Sequence, residues 1–200
     1  MTQSGGCVKK EAEGIKHWLS SCEYLASREF LKRHDQVLRV FYAEVLKSFS
    51  LVDDKVAWFN IPVQRVMEND KCIVVWNKKI PTHHKIEHRW PDLRVEDKDM
   101  KVIYIIDMAC PSDGTCREKE IQKRLNYNEL VYELRTQRPG WQIEVLPLIV
   151  GVTGGIHLLK VEVAKLIRNE KKAQKVVDEM QKTAVLGSLQ IIHRIECHLV

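Results

Sequence analysis

The most constraining feature of the chain is a short unbroken apolar run, Val102-Ile103-Tyr104-Ile105-Ile106, that ends on Asp107-Met108-Ala109. Its residues are β-branched or aromatic, the types that pack well on a pleated surface and lose χ1 freedom in a helix. Apolar and polar residues do not alternate along it, so both faces are covered and the run reads as a central strand. Pro111-Ser112-Asp113-Gly114 stops it. From Arg117 to Gln137, Ile121, Leu125, Leu130-Val131 and Leu134 then recur at helical spacing, and Arg138-Pro139-Gly140 ends that helix. Trp141 to Val152 is again strand-like, with Ile143, Val145, Leu146 and Leu148-Ile149-Val150. Strand, helix and strand in this order form a parallel crossover. The fold class is therefore α/β, a mixed sheet flanked by helices.

The remaining segments fit around that unit. Cys72-Ile73-Val74-Val75-Trp76 follows the turn residues Asn69-Asp70 and is a strand. Leu93-Arg94-Val95-Glu96 alternates, and a turn over Asp97–Asp99 folds it back on the central run as an antiparallel hairpin. Residues 15–49 carry apolar side chains at helical spacing, giving one or two helices, the second running from Asp35 to Ser48 with Asp35 at its start. Gly151 and Gly154-Gly155 make a flexible exit from the last strand. Helices follow over 156–168 and 175–199, separated by the charged stretch 169–172. The expected division is a helical segment over 1–50 and an α/β domain over 51–200, in which Trp76, Trp90 and Trp141 belong to the core.

Composition narrows the class of partner. The 200 residues are 44% hydrophobic, enough for one well-buried core. The net charge of +5 is compatible with nucleic acid and does not demand it. No apolar run approaches the ~20 residues of a membrane-spanning helix, so no membrane contact is expected. The six cysteines are scattered and no secretory signal is evident. Reduced thiols and an intracellular protein follow as expectations.

Chemistry concentrates between His88 and Tyr127. Asp92 opens one strand of the hairpin and Asp107 closes the next, so both acids fall at the same end. Two carboxylates there hold a hard cation such as Mg²⁺ or Mn²⁺. Lys123 and Tyr127 lie one helical turn apart on the following helix, where an ammonium and a phenol would face a scissile phosphate. The competing reading has Asp92 capping the turn after Pro91, Asp107 ending a strand, Lys123 solvated and Tyr127 in the core. Glu118, Glu120 and Glu129 are expected to face solvent. Lys78, Lys79, Lys85, Arg89 and Arg94 gather before and within the first acidic strand as a phosphate-contacting face; an ordinary solvated face is the alternative. His83, His84 and His88 read as exposed loop histidines.

These motifs together resemble a known pattern. His88-Arg89-Trp90-Pro91-Asp92, Asp107-Met108-Ala109 and Lys123-Arg124-Leu125-Asn126-Tyr127 are similar to the variant PD-(D/E)xK signature of restriction-like endonucleases, in the version found at the C-terminal end of non-LTR retrotransposon polyproteins. Cys22–Ala26, Lys32-Arg33-His34-Asp35, Thr82, Ile86–Arg89, Cys110-Pro111 and Met180–Gly187 extend the resemblance over nearly the whole chain. It implies a Mg²⁺-dependent enzyme that nicks DNA for target-primed reverse transcription, acting in the nucleus, with element RNA as a further partner. It also implies Asp92 and Asp107 as metal ligands, Lys123 as the lysine of the signature in place of Ala109, and Tyr127 as support. Cys7, His17 and Cys22 resemble the last three ligands of a Cys-Cys-His-Cys zinc knuckle; Ser4 stands where its first cysteine would fall, so a degenerate Zn²⁺ site is expected. The chain departs from the pattern at Asn77 and His83, where such elements often carry acids. Two rivals stand beside the nuclease: an inactive nucleic-acid-binding remnant of the element, and a structural or interaction domain.

Overall fold

The computed structural model describes residues 14–199. Five strands form one sheet in the order β1 (Val66–Glu68), β2 (Cys72–Trp76), β3 (Leu93–Asp97), β4 (Val102–Ala109) and β5 (Gln142–Ile149). The first four are antiparallel neighbours, and β5 lies parallel to β4. The fold is thus α/β with a mixed sheet. The crossover from β4 to β5 runs through α4 (Cys116–Asn126) and α5 (Asn128–Gln137). Four residues join β3 to β4. Met100 N–H donates to Asp97 Oδ1 at 3.0 Å, and Lys101 takes a left-handed φ of 53° that closes the turn.

Strand alternation divides the core in two. Val74, Leu93, Val95, Tyr104, Ile106, Met108, Leu146 and Leu148 face α3 (Leu31–Ser48), α6 (Leu159–Leu166) and α7 (Glu170–Leu199). Helix α3 forms because Val37, Leu38, Phe41, Tyr42, Val45 and Leu46 make one apolar stripe, and all six are buried in this layer. Ile103, Ile105 and Ile143 face the opposite way, against Tyr127, Leu130 and Leu134, with Ile80 and Ile86 beside them. Each such burial stabilises by about 1.5–3 kcal/mol. Asp92, Arg94 and Glu96, and Asp107 across from them, share the parity of this second face. A third cluster packs Leu19, Cys22 and Leu25 against Val152, Ile191 and Ile195.

Several elements differ from their expected form. The helix over 117–137 breaks at Tyr127, whose φ and ψ of −95° and 2° separate α4 from α5. Burial of the ring at that corner outweighs continuity of the helix. Helix α3 starts at Leu31 instead of Asp35, because a short α1 (Ile15–Ser20), α2 (Glu23–Leu25) and a π-helical turn over Ala26–Phe30 feed directly into it. The charged stretch 169–172 begins α7 and does not interrupt it. Asn169 Oδ1 accepts the Lys172 N–H at 3.0 Å, capping the helix. Strand β1 is a short exposed edge with no alternation to announce it.

The glycine exit after β5 is tied down. Asp113 Oδ1 accepts the Gly155 N–H at 2.6 Å and Oδ2 the Thr153 N–H at 3.0 Å. Gly151 and Gly155 leave no room there for a Cβ, which would lie 2.3 Å from Asp113 Oδ1 at either position. Trp90 is 58% exposed and does not join the core. Glu120 is buried and does not face solvent: Arg124 bridges it to buried Glu162, with His157 on Glu120 and the Lys165 ammonium on Glu162 as further partners. Among the described residues, no helix is long and apolar enough to cross a membrane.

Candidate active site

The acid pair lies where the β3–β4 ladder ends. One step past the Leu93–Ile106 pairing, Asp92 stands opposite Asp107. Asp92 precedes the strand in a segment fixed by the Asn77 N–H, which donates to its carbonyl at 2.8 Å. Asn77 takes a left-handed φ of 42°, a conformation that asparagine tolerates better than most residues. Asp92 Oδ2 accepts from the Met108 N–H at 2.8 Å and from His34 Nε2 at 3.1 Å. Asp107 Oδ1 pairs with Lys123 Nζ at 2.8 Å. Tyr127 Oη donates to the Trp90 carbonyl at 3.4 Å and lies within reach of Asp107. Ala26, Phe30, Leu31, Arg33, His34, Met108, Ala109, Cys110 and Lys123 complete a cleft of about 360 Å³ around the two acids.

The electrostatics are those of crowded like charges with one strong counter-charge. Burial, and next the neighbouring Asp92, push Asp107 up to about 6, against the pull of Lys123. Burial works on Asp92 in the same direction, but the hydrogen bond and charge of His34 outweigh it and hold Asp92 low, at about 2. Burial also works against protonation of His34. Its hydrogen bonds to Asp35 and Asp92 prevail and raise it to about 9, so its ring donates to both acids at neutral pH. Burial, and then the charges of Asp107 and Asp92, raise Tyr127, which stays a neutral donor. Burial pushes the Cys110 thiol up to about 11, so it is no thiolate at neutral pH.

The structure therefore brings Asp92, Asp107, Lys123 and Tyr127 together. His34 is the site residue that sequence reasoning did not assign to the site. Its place inside Lys32-Arg33-His34-Asp35, a stretch that shared the resemblance, was the available signal. Arg33 steadies this wall, donating to Ser188 Oγ at 3.0 Å and to the Leu19 carbonyl at 2.8 Å.

The basic residues do not share one location. Lys78, Lys79 and Arg94 line a separate cleft of about 280 Å³ with Arg138, Gln137 and Glu96. Arg94 Nε lies 3.3 Å from Glu96 Oε1. Lys85 is exposed, and Arg89 Nη1 donates to Thr82 Oγ1 at 2.7 Å. His83 pairs with buried Glu133 at 2.6 Å, away from the acid pair. Cys7 lies outside the described residues. His17 is half-buried, and Cys22 is buried and disulfide-bonded. That bond departs from the reduced thiols expected of all the cysteines.

Two carboxylates suit a hard divalent cation that keeps waters and substrate oxygens in its remaining positions. The N–H donors and the Lys123 ammonium engage Asp92 Oδ2 and Asp107 Oδ1, and the two carboxyl groups meet each other within hydrogen-bond reach, the approach that a shared cation would bridge. Among the described residues there is no group of three or more histidine, cysteine or acidic side chains arranged to hold a metal. The donor set therefore fits Mg²⁺ or Mn²⁺ bound partly through substrate, and does not fit an all-protein cage.

No family model matches the chain, and no curated protein does. Among solved structures, an N-terminal domain of a reptarenavirus L protein aligns over 80% of this chain and 78% of that one. The identity is 14% and the TM-score 0.36, too low to carry any argument about fold or chemistry.

Proposed function

We propose that the chain is a divalent-cation-dependent DNA endonuclease, of the kind that non-LTR retroelements use to open their target. The observation that supports it is the convergence of Asp92 and Asp107 at one strand end, with the Lys123 ammonium 2.8 Å from Asp107. Asp92 and Asp107 would hold Mg²⁺ or Mn²⁺, which supplies charge stabilisation at the phosphate and a more acidic water. Lys123 faces the cleft and meets charge developing on the phosphate oxygens. His34 and the Met108 N–H fix the orientation of Asp92, and Tyr127 remains a neutral hydrogen-bond donor beside Asp107.

A second reading keeps nucleic-acid binding without cleavage. It is favoured by the cleft that Lys78, Lys79, Arg94 and Arg138 line with the lone acid Glu96. Plasmid nicking by the purified chain separates the two. The nuclease nicks supercoiled DNA with Mg²⁺ or Mn²⁺, stops with EDTA, and loses activity in Asp107→Ala. Salt-sensitive binding by a folded chain that never nicks leaves the inactive remnant, and an absence of both leaves an interaction domain.

A further inference from the structure

We infer that Trp90 is a stacking platform for an unpaired nucleobase of the strand bound at the acid pair. The inference rests on the nucleic-acid reading above and adds to it the form of the substrate: DNA single-stranded at or beside the cleaved bond.

The backbone around Trp90 is held on every side. The Ile80 N–H donates to the Arg89 carbonyl at 2.8 Å, the Asn77 N–H to the Asp92 carbonyl at 2.8 Å, and Tyr127 Oη to the Trp90 carbonyl at 3.4 Å. Pro91 is buried and restricts Trp90 to extended backbone. Burial alternates along the segment: Pro91 and Leu93 are inside, while Trp90 and Asp92 lie outward of them. Two residues of extended chain span about 7 Å, close to the spacing of consecutive nucleotides in an extended strand. The indole is nonetheless 58% exposed, and no ring or cation contact engages it among the described residues.

A rigid main chain carrying a large free aromatic face loses little entropy on binding. Every base offers a π-face, so stacking is tolerant of sequence. A paired and stacked base has no free face to offer, so the platform selects an unpaired strand. Leu31, 53% exposed on the cleft wall, adds an apolar surface at the rim.

Equilibrium binding of a fluorescein-labelled single-stranded oligonucleotide and of its blunt duplex, in EDTA, tests the platform. Trp90→Ala is expected to weaken single-strand binding about tenfold. Trp90→Phe should stay close to wild type, and duplex binding should change little in either variant. Equal single-strand binding by wild type and Trp90→Ala overturns the inference. So does a loss of the same size on the duplex, or a wild-type chain that binds neither probe. Nicking is scored separately. A chain that nicks without any dependence on Trp90 refutes the platform alone, and one that binds through Trp90 without nicking refutes the nuclease alone.

Discussion

Neutralising Asp107 should stabilise the metal-free protein while abolishing its proposed chemistry. The side chain is 10% exposed and its carboxyl is raised from 3.8 to about 6. A carboxyl that is raised on folding binds its proton more tightly in the folded state. Stability is therefore fully present below pH ~4 and is lost as pH rises through about 6. A shift of about two units corresponds to about 3 kcal/mol of strain once the group is ionised. Asp107→Asn removes that charge and keeps the shape. It also leaves Lys123, 18% exposed, without its partner, which returns about 1 kcal/mol. The net gain at pH 7.5 is about 1–2 kcal/mol, or about 3–6 °C in Tm for a chain of this size. Differential scanning calorimetry in EDTA at pH 7.5 and pH 4 measures it, and at pH 4 most of the gain should vanish. Added Mg²⁺ should raise the wild-type Tm by mass action and leave Asp107→Asn where it was. A lower Tm for Asp107→Asn at pH 7.5, or an equal gain at both pH values, would refute the reasoning.

Two further predictions concern the wall of the site. His34→Ala should raise the Mg²⁺ concentration for half-maximal nicking by about 10–100-fold, as loss of an orienting partner does. His34→Gln should recover part of it, and a change in turnover alone would remove His34 from that role. Gly187→Ala ought to gain about 1 kcal/mol of helix propensity, yet its methyl would lie 2.7 Å from Arg33 Cγ. Overpacking costs about 1–3 kcal/mol, so urea unfolding should find the variant no more stable than wild type, and nicking should fall as Arg33 moves the wall.

The central strand, its crossover and the hairpin were legible because each carries a periodicity that burial imposes. The ends of Asp92 and Asp107 followed from the hairpin turn alone. What local pattern could not convey was set by distant partners. Tyr127 breaks a helix that spacing made continuous, because Ile105 and Leu130 offer its ring a buried corner. Glu120 looks like any surface acid until His157 reaches it from another segment and Arg124, one turn along the same helix, bridges it to Glu162. Trp90 fails the rule that tryptophan is core because its backbone is anchored and its ring is not. His34 is separated from Asp92 by 58 positions, and no pattern within α3 announces their contact. Asp113, whose sequence context announces only the stop after β4, converts a glycine-rich exit some 40 residues later into a fixed loop.

The tie between Arg33 and Ser188 sets an order of events during synthesis. Ser188 Oγ also donates to the Val152 carbonyl at 2.6 Å, so one hydroxyl joins α3, the segment after β5 and α7. The acids and Lys123 leave the ribosome well before this clamp, since Ser188 comes about 80 residues after Asp107. At about 5–20 residues per second, the nascent chain spends about 4–16 s with its carboxylates made and its cleft wall unsecured. Competence for the proposed cleavage is thereby deferred until more than half of α7 has been added.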